Sequence, residues 1–256
     1  NLVGKRFADF VHKDRFIVQL DEGWYDDMVD SVIHLGACSA TTETDADYLM
    51  YNNTNFSIAL ASWCLHNERK MWYASSAATY GNGSRGYSDD DTDTPALEPL
   101  NMYGFSKHLF DVWVLRNGAQ DALTGFKFFN VYGPNEYHKG SMRSVIHKAF
   151  PDARDSRRIR LFASCRPDYP DGGQKRDFIY VKDAVDMVWY FFSHPDIGGI
   201  FNIGTGNART WNDLAHAMFA ALDVDGEIEY IPMPDHLKGS YQYFTEADTA
   251  KLTRAG

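Results

Sequence analysis

The chain has 256 residues, of which 44% are hydrophobic and 23% are charged, so it can bury a sizeable core and is not intrinsically disordered. Its 25 basic and 35 acidic side chains give a formal net charge of −10, which argues against nucleic acid or an anionic membrane as the main partner. A phosphorylated small molecule remains compatible with this charge, because it needs only a local group of hydrogen-bond donors. No apolar run approaches the roughly 18 residues of a membrane span.

The three cysteines, Cys38, Cys64 and Cys165, are widely spaced and form no CxxC pair. This usage indicates a reducing, cytoplasmic location, and no metal site is expected from it.

Short β-branched and aromatic runs alternate with helical patterns along the chain. In chain order, strands are predicted at 31–34, 71–74, 125–130, 160–162, 178–181, 199–203 and 228–231. Helices are predicted at 46–66, 103–116 and 184–193, and a fourth begins at the N-cap residue Thr210, with Asp213 at its third position. The alternation predicts an α/β fold in which helices cover both faces of a mostly parallel sheet.

Two segments interrupt this alternation. Residues 82–99 contain glycines, prolines and the acidic run 89–91, and residues 165–174 are similarly rich in turn residues. Both are interpreted as loops, the first as a solvated one. From about residue 129 the strands become shorter and the loops longer, which predicts a smaller second lobe without a clean linker.

Tyr103 and Lys107 are four residues apart on a predicted helix, so they share one face. A phenol has a pKa of about 10, and a lysine ammonium one turn away is expected to lower it. Ser75 and Ser76 follow the strand at 71–74, at the edge where parallel sheets place ligands. A YxxxK match alone is more typical of an ordinary helix, and a serine alone is typical of an N-cap or turn. Together they predict a catalytic set.

These residues resemble the Ser, Tyr and Lys set of the extended short-chain dehydrogenase/reductase family, which uses a nicotinamide cofactor. Residues 129–134, 175–183 and 201–206 are similar to motifs of its nucleotide-sugar members. Residues 34–43, 138–142 and 237–242 narrow the resemblance to members that epimerise C6 of an ADP-bound heptose. The resemblance covers essentially the whole chain.

The resemblance implies a Rossmann-like doubly wound parallel sheet with a smaller α/β substrate lobe. Residues 1–130 would form a partial NADP-binding Rossmann domain. Residues 131–256 would form mainly the substrate-binding lobe, with 178–205 returning to the Rossmann sheet.

The implied reaction converts ADP-D-glycero-D-manno-heptose to its L-glycero epimer by transient oxidation and reduction with NADP, NAD being the alternative cofactor. This reaction supplies heptose for the lipopolysaccharide core, and the resemblance also implies a homo-oligomer, a homopentamer. Alternatives are a nucleotide-sugar 4-epimerase or dehydratase of the same family, or a non-catalytic nucleotide-binding relative. Ala77 and Ala78 after Ser76 argue against a dehydratase, which typically carries an acidic pair there, and the intact set argues against a non-catalytic relative.

By resemblance, Tyr103 and Lys139 are acid/base groups on opposite sides of the substrate, Ser76 bonds the reacting oxygen and Lys107 holds the cofactor ribose. The cofactor-binding residues that it implies are Lys13, Leu35, Gly36, Ala37, Cys38, Ser39, Asn52, Lys107, Val131 and Lys139. The substrate-binding residues are Ser76, Asn130, Ser141, His147, Phe162, Ala163, Ser164, Cys165, Arg176 and Tyr241.

Taken singly, several of these residues have ordinary structural explanations. Arg176 offers a planar fork for a diphosphate oxygen, but an ion pair with Asp177 or Asp168 explains it equally well. Lys139 is also typical of a solvated loop, and His147 of a core or surface position. Asn52 is also typical of a helix side chain that bonds a neighbouring loop.

One family feature has no counterpart in the sequence. A glycine-rich turn normally seats the pyrophosphate at a helix N-terminus, and residues 1–30 contain none. A first βαβ unit spans about 30 residues or more, and we expect it to be absent from the N-terminus. The chain is therefore interpreted as a fragment with both ends cut, which by itself binds cofactor weakly and turns over poorly.

Overall fold

A computed structural model describes residues 3–239 and 241–256. In chain order the strands are β1 (Ser31–His34), β2 (Lys70–Ser76), β3 (Leu123–Phe128), β4 (Asn130–Tyr132), β5 (Arg158–Phe162), β6 (Lys175–Arg176), β7 (Phe178–Tyr180), β8 (Ile200–Ile203), β9 (Arg209–Thr210) and β10 (Glu227–Ile231). The α-helices are α1 (Lys13–Asp21), α2 (Ala46–Leu49), α3 (Phe56–His66), α4 (Met102–Arg116), α5 (Val145–Ser156), α6 (Val181–Ser193), α7 (Trp211–Leu222), α8 (Asp235–Lys238) and α9 (Ala250–Ala255).

The main sheet contains β1, β2, β3 and β8, which pair in that order and run parallel. On one face, α3 and α4 bury Leu60, Phe110 and Val114 against β2 and β3. On the other face, α6 buries Val188 and Phe191 against β3 and β8. β8 is buried along its whole length because both faces are covered. The predicted α/β fold with a Rossmann-like parallel sheet is confirmed.

The second half of the chain adds smaller sheets. β5 pairs with β10 and β4 with β7, both in parallel, whereas β6 and β9 pair antiparallel. Helices α5 and α7 pack on β5 around Ile159, Leu214 and Phe219. Because β8 lies beside β3, part of this half joins the main sheet. The division at residue 130 stays a prediction.

The predicted strand at 125–130 is wrong at its end. β3 stops at Phe128, and Asn130 begins β4, which leaves the main sheet to pair with β7. Between them, Phe129 is buried in a cluster with Ala77 and Tyr80. A run of apolar residues marks a buried strand but cannot reveal where the chain changes sheets. The short strands β6 and β9 were not predicted for a related reason, since two residues give no periodic signal.

The predicted helix at 46–66 is interrupted by a π-helical segment, Met50–Asn55, between α2 and α3. This wider turn buries Asn53 and Thr54, which bond Ser106 of α4. Hydrophobic periodicity did not reveal it, nor did it predict α1, α5, α8 and α9. The capping box of α7 is confirmed: Thr210 and Asp213 bond each other's backbone N–H groups.

Residues 82–99 form the largely exposed segment that their composition predicts, but part of the acidic run at 89–91 is buried. Asp89 is only 3% exposed and accepts a hydrogen bond of 2.8 Å from the backbone N–H of Asn202 in β8. Lys251 of α9 donates to Asp91 Oδ1 at 2.8 Å and to the carbonyl oxygen of Ile200 at 2.9 Å. The acidic run therefore fastens this segment to the main sheet through partners far away in sequence. Among the helices of the described residues, none is both long and apolar enough to cross a membrane.

The buried histidine at the end of β1 predicts acid sensitivity. His34 Nε2 lies 2.9 Å from Ser57 Oγ, and burial, followed by the charge of Lys107, lowers the pKa of His34 from 6.5 to about 4. Since the unfolded chain binds this proton at higher pH, the stability is present above pH 6.5 and lost as the pH falls toward about 4. Between about pH 7 and about pH 4.5 the loss amounts to about 2 kcal/mol.

Urea unfolding at these two pH values tests this contribution. The His34→Gln variant should lose about 2 kcal/mol less than the unmodified chain on acidification, whereas His216→Gln, at an exposed histidine of α7, should behave like the unmodified chain. Equal losses for the His34 variant and the unmodified chain would contradict the assignment.

Candidate active site

Tyr103 and Ser76 meet where α4 begins beside the carboxyl end of β2. Asn101 caps α4 by accepting a hydrogen bond of 2.8 Å from the Gly104 N–H. A Cβ on Gly104 would lie 2.7 Å from the Ala78 carbonyl oxygen, so only glycine allows this approach. The Ser76 hydroxyl bonds the Tyr103 phenol and also accepts from the Ala78 N–H at 3.1 Å. Ser76 is therefore both the cap of the turn and a partner of the phenol.

The expectation that Lys107 lowers the pKa of Tyr103 is wrong for the chain without ligands. Burial raises the pKa of Tyr103, and the hydrogen bond from Ser76 opposes this only in part. The Lys107 ammonium is engaged elsewhere, because its Nζ donates to the Ala74 carbonyl at 2.8 Å. At neutral pH Tyr103 is a protonated phenol, ready to donate.

Lys107 is a buried cation with unused donors. Burial lowers its pKa to about 8, while the charge of Asp111 raises it. An ammonium has three N–H donors, and within residues 3–239 and 241–256 one of them is used, on Ala74. The two others suit hydroxyl groups, so the side chains present fit the ribose of a nicotinamide nucleotide.

The loop that follows β1 contains five predicted cofactor-binding residues, Leu35, Gly36, Ala37, Cys38 and Ser39. Asn53 holds this loop: its Oδ1 accepts from the Cys38 N–H at 2.8 Å and its Nδ2 donates to the Cys38 carbonyl at 3.0 Å. The predicted residue, Asn52, instead donates to the Tyr48 carbonyl within its own helix. The sequence has two adjacent asparagines here, and periodicity could not show which of them faces inward.

The other predicted cofactor contacts lie apart from Tyr103. Lys13 begins α1, is exposed, pairs with Asp14 at 2.6 Å and lies 5.5 Å from the centre of the Tyr51 ring. Lys139 is exposed and lines a cavity of about 320 Å³ together with Asn130 and Val131. No hydrogen bond joins Lys139 to Tyr103 in the part of the chain that the structure describes.

The guanidinium of Arg176 is buried. The residue is 7% exposed, and its Nη1 donates to the Lys175 carbonyl at 2.8 Å. The guanidinium carbon lies 5.1 Å from the centre of the Tyr241 ring and 5.7 Å from that of Trp211. No carboxylate of residues 3–239 or 241–256 pairs with the guanidinium. Burial lowers the pKa of Arg176. A buried arginine that pairs with no carboxylate is well suited to bind a phosphate or carboxylate ligand.

The suggested ion pairs of Arg176 with Asp177 and Asp168 are wrong. Asp168 pairs with Arg166 at 2.5 Å. The Asp177 carboxylate accepts from the N–H groups of Thr205, Gly206 and Ala247 at 2.8 to 3.0 Å, and from the Thr205 hydroxyl at 2.6 Å. The turn at 204–206 therefore closes around a carboxylate and anchors the strand segment that carries the arginine.

A cavity of about 550 Å³ connects Arg176 with the beginning of α4. Its lining combines the motif at 41–43, the residues just before Tyr103, and the motif near the C-terminus: Thr41, Thr42, Glu43, Thr44, Ala78, Leu100, Asn101, Met102, Arg176, Leu237, Tyr241 and Gln242. Ser240, within the last motif, lies outside the described residues. Motifs that are distant in the sequence thus meet in one cavity between the catalytic set and the arginine.

The remaining predicted substrate contacts lie around β5 and the loop before α5. Phe162 packs edge-on against Tyr241, with ring centres 6.3 Å apart, and Ala163 and Ser164 follow it. The Cys165 N–H donates to the Tyr243 hydroxyl at 3.0 Å. Ser141 is exposed, and His147 packs edge-on against Tyr137 at 5.1 Å. Phe162 thus joins Tyr241 beside the arginine, whereas Ser141 lies just before α5 and His147 lies in the first turn of α5.

A model of the family described as "NAD dependent epimerase/dehydratase family" matches residues 17–204. ADP-L-glycero-D-manno-heptose-6-epimerase of Nitratidesulfovibrio vulgaris is 56% identical over 256 residues, which cover 100% of this chain and 79% of that protein. The enzyme of the same name from Fusobacterium nucleatum is 43% identical, covering 100% and 80%.

Solved structures are also similar. The crystal structure of Helicobacter pylori ADP-L-glycero-D-manno-heptose-6-epimerase superposes with a TM-score of 0.76 at 25% identity, over 93% of this chain and 69% of that one. Thermotoga maritima UDP-glucose 4-epimerase with UDP-glucose gives a TM-score of 0.75 at 21% identity, over 93% and 74%, and agrees in fold.

Asp177 accepts several hydrogen bonds, whereas no carboxylate of the described residues pairs with Arg176. Substitutions at these two neighbouring positions should therefore have different effects on the free energy of unfolding. Arg176→Met removes a buried, unpaired cation and should leave the free energy of unfolding unchanged or raise it by about 1 kcal/mol. Asp177→Asn replaces two acceptor oxygens by one and should lower it by about 2 kcal/mol. Urea denaturation of both variants measures this. A loss for Arg176→Met as large as that for Asp177→Asn would contradict the view that Arg176 awaits a ligand.

Proposed function

The chain belongs to the NAD dependent epimerase/dehydratase family, and from this premise we propose that it inverts C6 of an ADP-bound heptose. The reaction interconverts ADP-D-glycero-D-manno-heptose and ADP-L-glycero-D-manno-heptose. Relatives with up to 56% identity over the whole chain carry the name of this activity. The structure supports the proposal chiefly through the buried guanidinium of Arg176, which pairs with no carboxylate of the described residues. It lies at the end of a cavity that begins beside Tyr103.

Arg176 supplies the anchor for the substrate diphosphate. A buried guanidinium presents several fixed N–H donors, and its attraction for phosphate oxygens is strong where water is excluded. Tyr241 lies face-on to the guanidinium at 5.1 Å and limits its movement. Anchoring the nucleotide far from C6 retains the sugar while its oxidation state changes.

Tyr103 and Ser76 act on the reacting oxygen. The Tyr103 phenol is protonated in the free chain, since burial raises its pKa, so it donates a proton to a ketone oxygen and recovers it in the reverse direction. The Ser76 hydroxyl bonds the same oxygen. When bound, a nicotinamide cofactor supplies a reversible hydride acceptor for C6.

Inversion requires a second acid/base group, because the C6 oxygen lies on opposite sides in the two epimers. One group takes the hydroxyl proton as C6 is oxidised, and the other protonates the ketone oxygen as C6 is reduced. Lys139 is the residue that we propose as the second group. It lines a cavity together with Asn130 and Val131, which follow β3, and its amine is carried on a flexible side chain. Ser141 and His147 are proposed to close this side of the substrate.

We propose NADP as the cofactor, with Lys107 at the ribose and Lys13 as the cation that favours the additional phosphate. The exposed position of Lys13 beside Tyr51 supports this role. Because the GxGxxG match at 81–86 lies in a loop and not between a strand and a helix, we expect weak binding of the dinucleotide by the 256-residue chain. We also propose a homo-oligomer that works in the cytoplasm, consistent with three free cysteines.

Turnover by the purified chain tests the reaction and its residues together. With saturating NADP it should interconvert the two ADP-heptoses, and more slowly with NAD. Tyr103→Phe and Lys139→Met should each lower kcat by about a hundredfold, whereas Arg176→Met should chiefly raise KM. Tyr230→Phe, at an exposed tyrosine of β10, is the matched control and should leave both constants unchanged.

Two results would contradict the proposal. One is no interconversion of the ADP-heptoses although the cofactor is bound. The other is inversion of C4 in a UDP-hexose at a higher kcat/KM, which would favour a 4-epimerase.

A further inference from the structure

An ion pair lies fully inside the molecule, directly behind the candidate active site. Lys127 Nζ of β3 lies 3.0 Å from Asp111 Oδ2 of α4, and both side chains are 0% exposed. Moving two charges out of water is unfavourable, and an apolar pair of similar volume is often as stable or more stable. None of the roles proposed above uses this pair, so its position needs another explanation.

Asp111 attaches α4 to β2. Its Oδ2 accepts a hydrogen bond of 2.7 Å from the Ser75 hydroxyl, and its Oδ1 accepts one of 3.1 Å from the Tyr73 phenol. With Lys127, three donors converge on one carboxylate. Ser75 directly precedes Ser76, so the carboxylate constrains the strand next to the residue that bonds Tyr103.

The contacts of α4 with β2 repeat at intervals of one helical turn, because the residues involved are four apart on the helix. In order along α4, the contacts are Tyr103 with Ser76, Lys107 with the Ala74 carbonyl, and Asp111 with Ser75 and Tyr73. The last of them fixes the register in which the first two approach the strand.

Lys127 secures Ser76 from the other side. Its Nζ donates to the Thr79 hydroxyl at 2.9 Å, and that hydroxyl donates to the Ser76 carbonyl at 2.8 Å. The ammonium also lies 5.0 Å from the centre of the Tyr80 ring. The turn that follows Ser76 is therefore fastened to β3, while the strand before it is fastened to α4.

We propose that Asp111 and Lys127 are positioning residues, which hold Ser76 between them and place a negative charge one turn from the Lys107 ammonium. This inference rests on the proposed function, because it assigns these residues to the same catalytic set. The charge matters because Lys107 is buried, and an ammonium without a nearby anion loses its proton more readily there.

Several titratable groups surround Lys107. Burial lowers the pKa of Lys107 to about 8, and the charge of Asp111, on the same helix, opposes this lowering. His34 approaches from β1, with its pKa lowered to about 4, so it is neutral over the working range. Tyr103 lies one turn before it, protonated, and Lys127 from β3 is neutralised by Asp111. Asp111 is the anion in this group.

Two readouts separate positioning from a purely structural role. The first is the titration of Lys107, followed by NMR with lysine labelled at Cε and assigned with Lys107→Met. The second is the pH profile of kcat/KM. Removing the Asp111 charge should shift the Lys107 titration to a pH below about 8 and move the alkaline loss of activity with it. At neutral pH, kcat should fall by roughly tenfold to a hundredfold, with KM nearly unchanged.

The variants are Asp111→Asn, Asp111→Glu and the double variant Asp111→Asn/Lys127→Met. Asp111→Asn alone leaves the buried Lys127 charge unpaired, so this variant can fail to fold. The double variant removes both charges and can be measured in that case. It should unfold at a urea concentration close to that of the unmodified chain and still show the shifted titration. Asp111→Glu should restore part of kcat. Asp91→Asn, in the partly exposed pair with Lys251, is the matched control and should move neither readout.

An unchanged Lys107 titration and pH profile in the double variant would overturn the inference. The inference would also be overturned if the loss of kcat were proportional to the loss of stability in every variant, including the Asp91→Asn control. Absence of epimerisation by the unmodified chain would instead refute the proposed function, and the NMR titration would still decide the inference.

Discussion

The docking of α4 onto β2 is the contact on which the rest of the site depends. Without a side chain on Gly104, the helix starts close to the Ala78 carbonyl, and this brings Tyr103 to Ser76. One and two turns later, Lys107 and Asp111 bond the same strand. Since the two elements meet through hydrogen bonds at a fixed helical interval, the position of the phenol follows from backbone geometry. A small shift of the helix would disturb every member of the set together.

The adjacent residues Arg176 and Asp177 differ in how their buried charges are compensated. Asp177 is satisfied by backbone donors from two distant segments, so it stabilises the lobe. Arg176 is buried among aromatic rings without an anion, so its charge remains available to a ligand. A free guanidinium costs stability in the absence of that ligand and contributes affinity in its presence. The cavity between it and Tyr103 is where we propose that a sugar nucleotide binds.

Much of the fold, and the shared helix face of Tyr103 and Lys107, could be predicted from the sequence, because both follow from short-range periodicity. Tyr103 and Lys107 share a helix face through their spacing alone, and the strand before Ser76 is a continuous apolar run. The rest depends on contacts between distant segments. Burial of Asp89 requires β8, and the choice of Asn53 over Asn52 depends on a π-helical turn that no pattern of polarity marks.

The central claim is that one chain both oxidises and reduces C6 while it holds the nucleotide. Conversion of ADP-D-glycero-D-manno-heptose labelled with deuterium at C6 tests this most directly, with NMR and mass spectrometry of the product. The product should be the L-glycero epimer with the deuterium still at C6, because the hydrogen returns to the carbon from which it came. Loss of the label to water, or retention of the label without inversion, would contradict the claim.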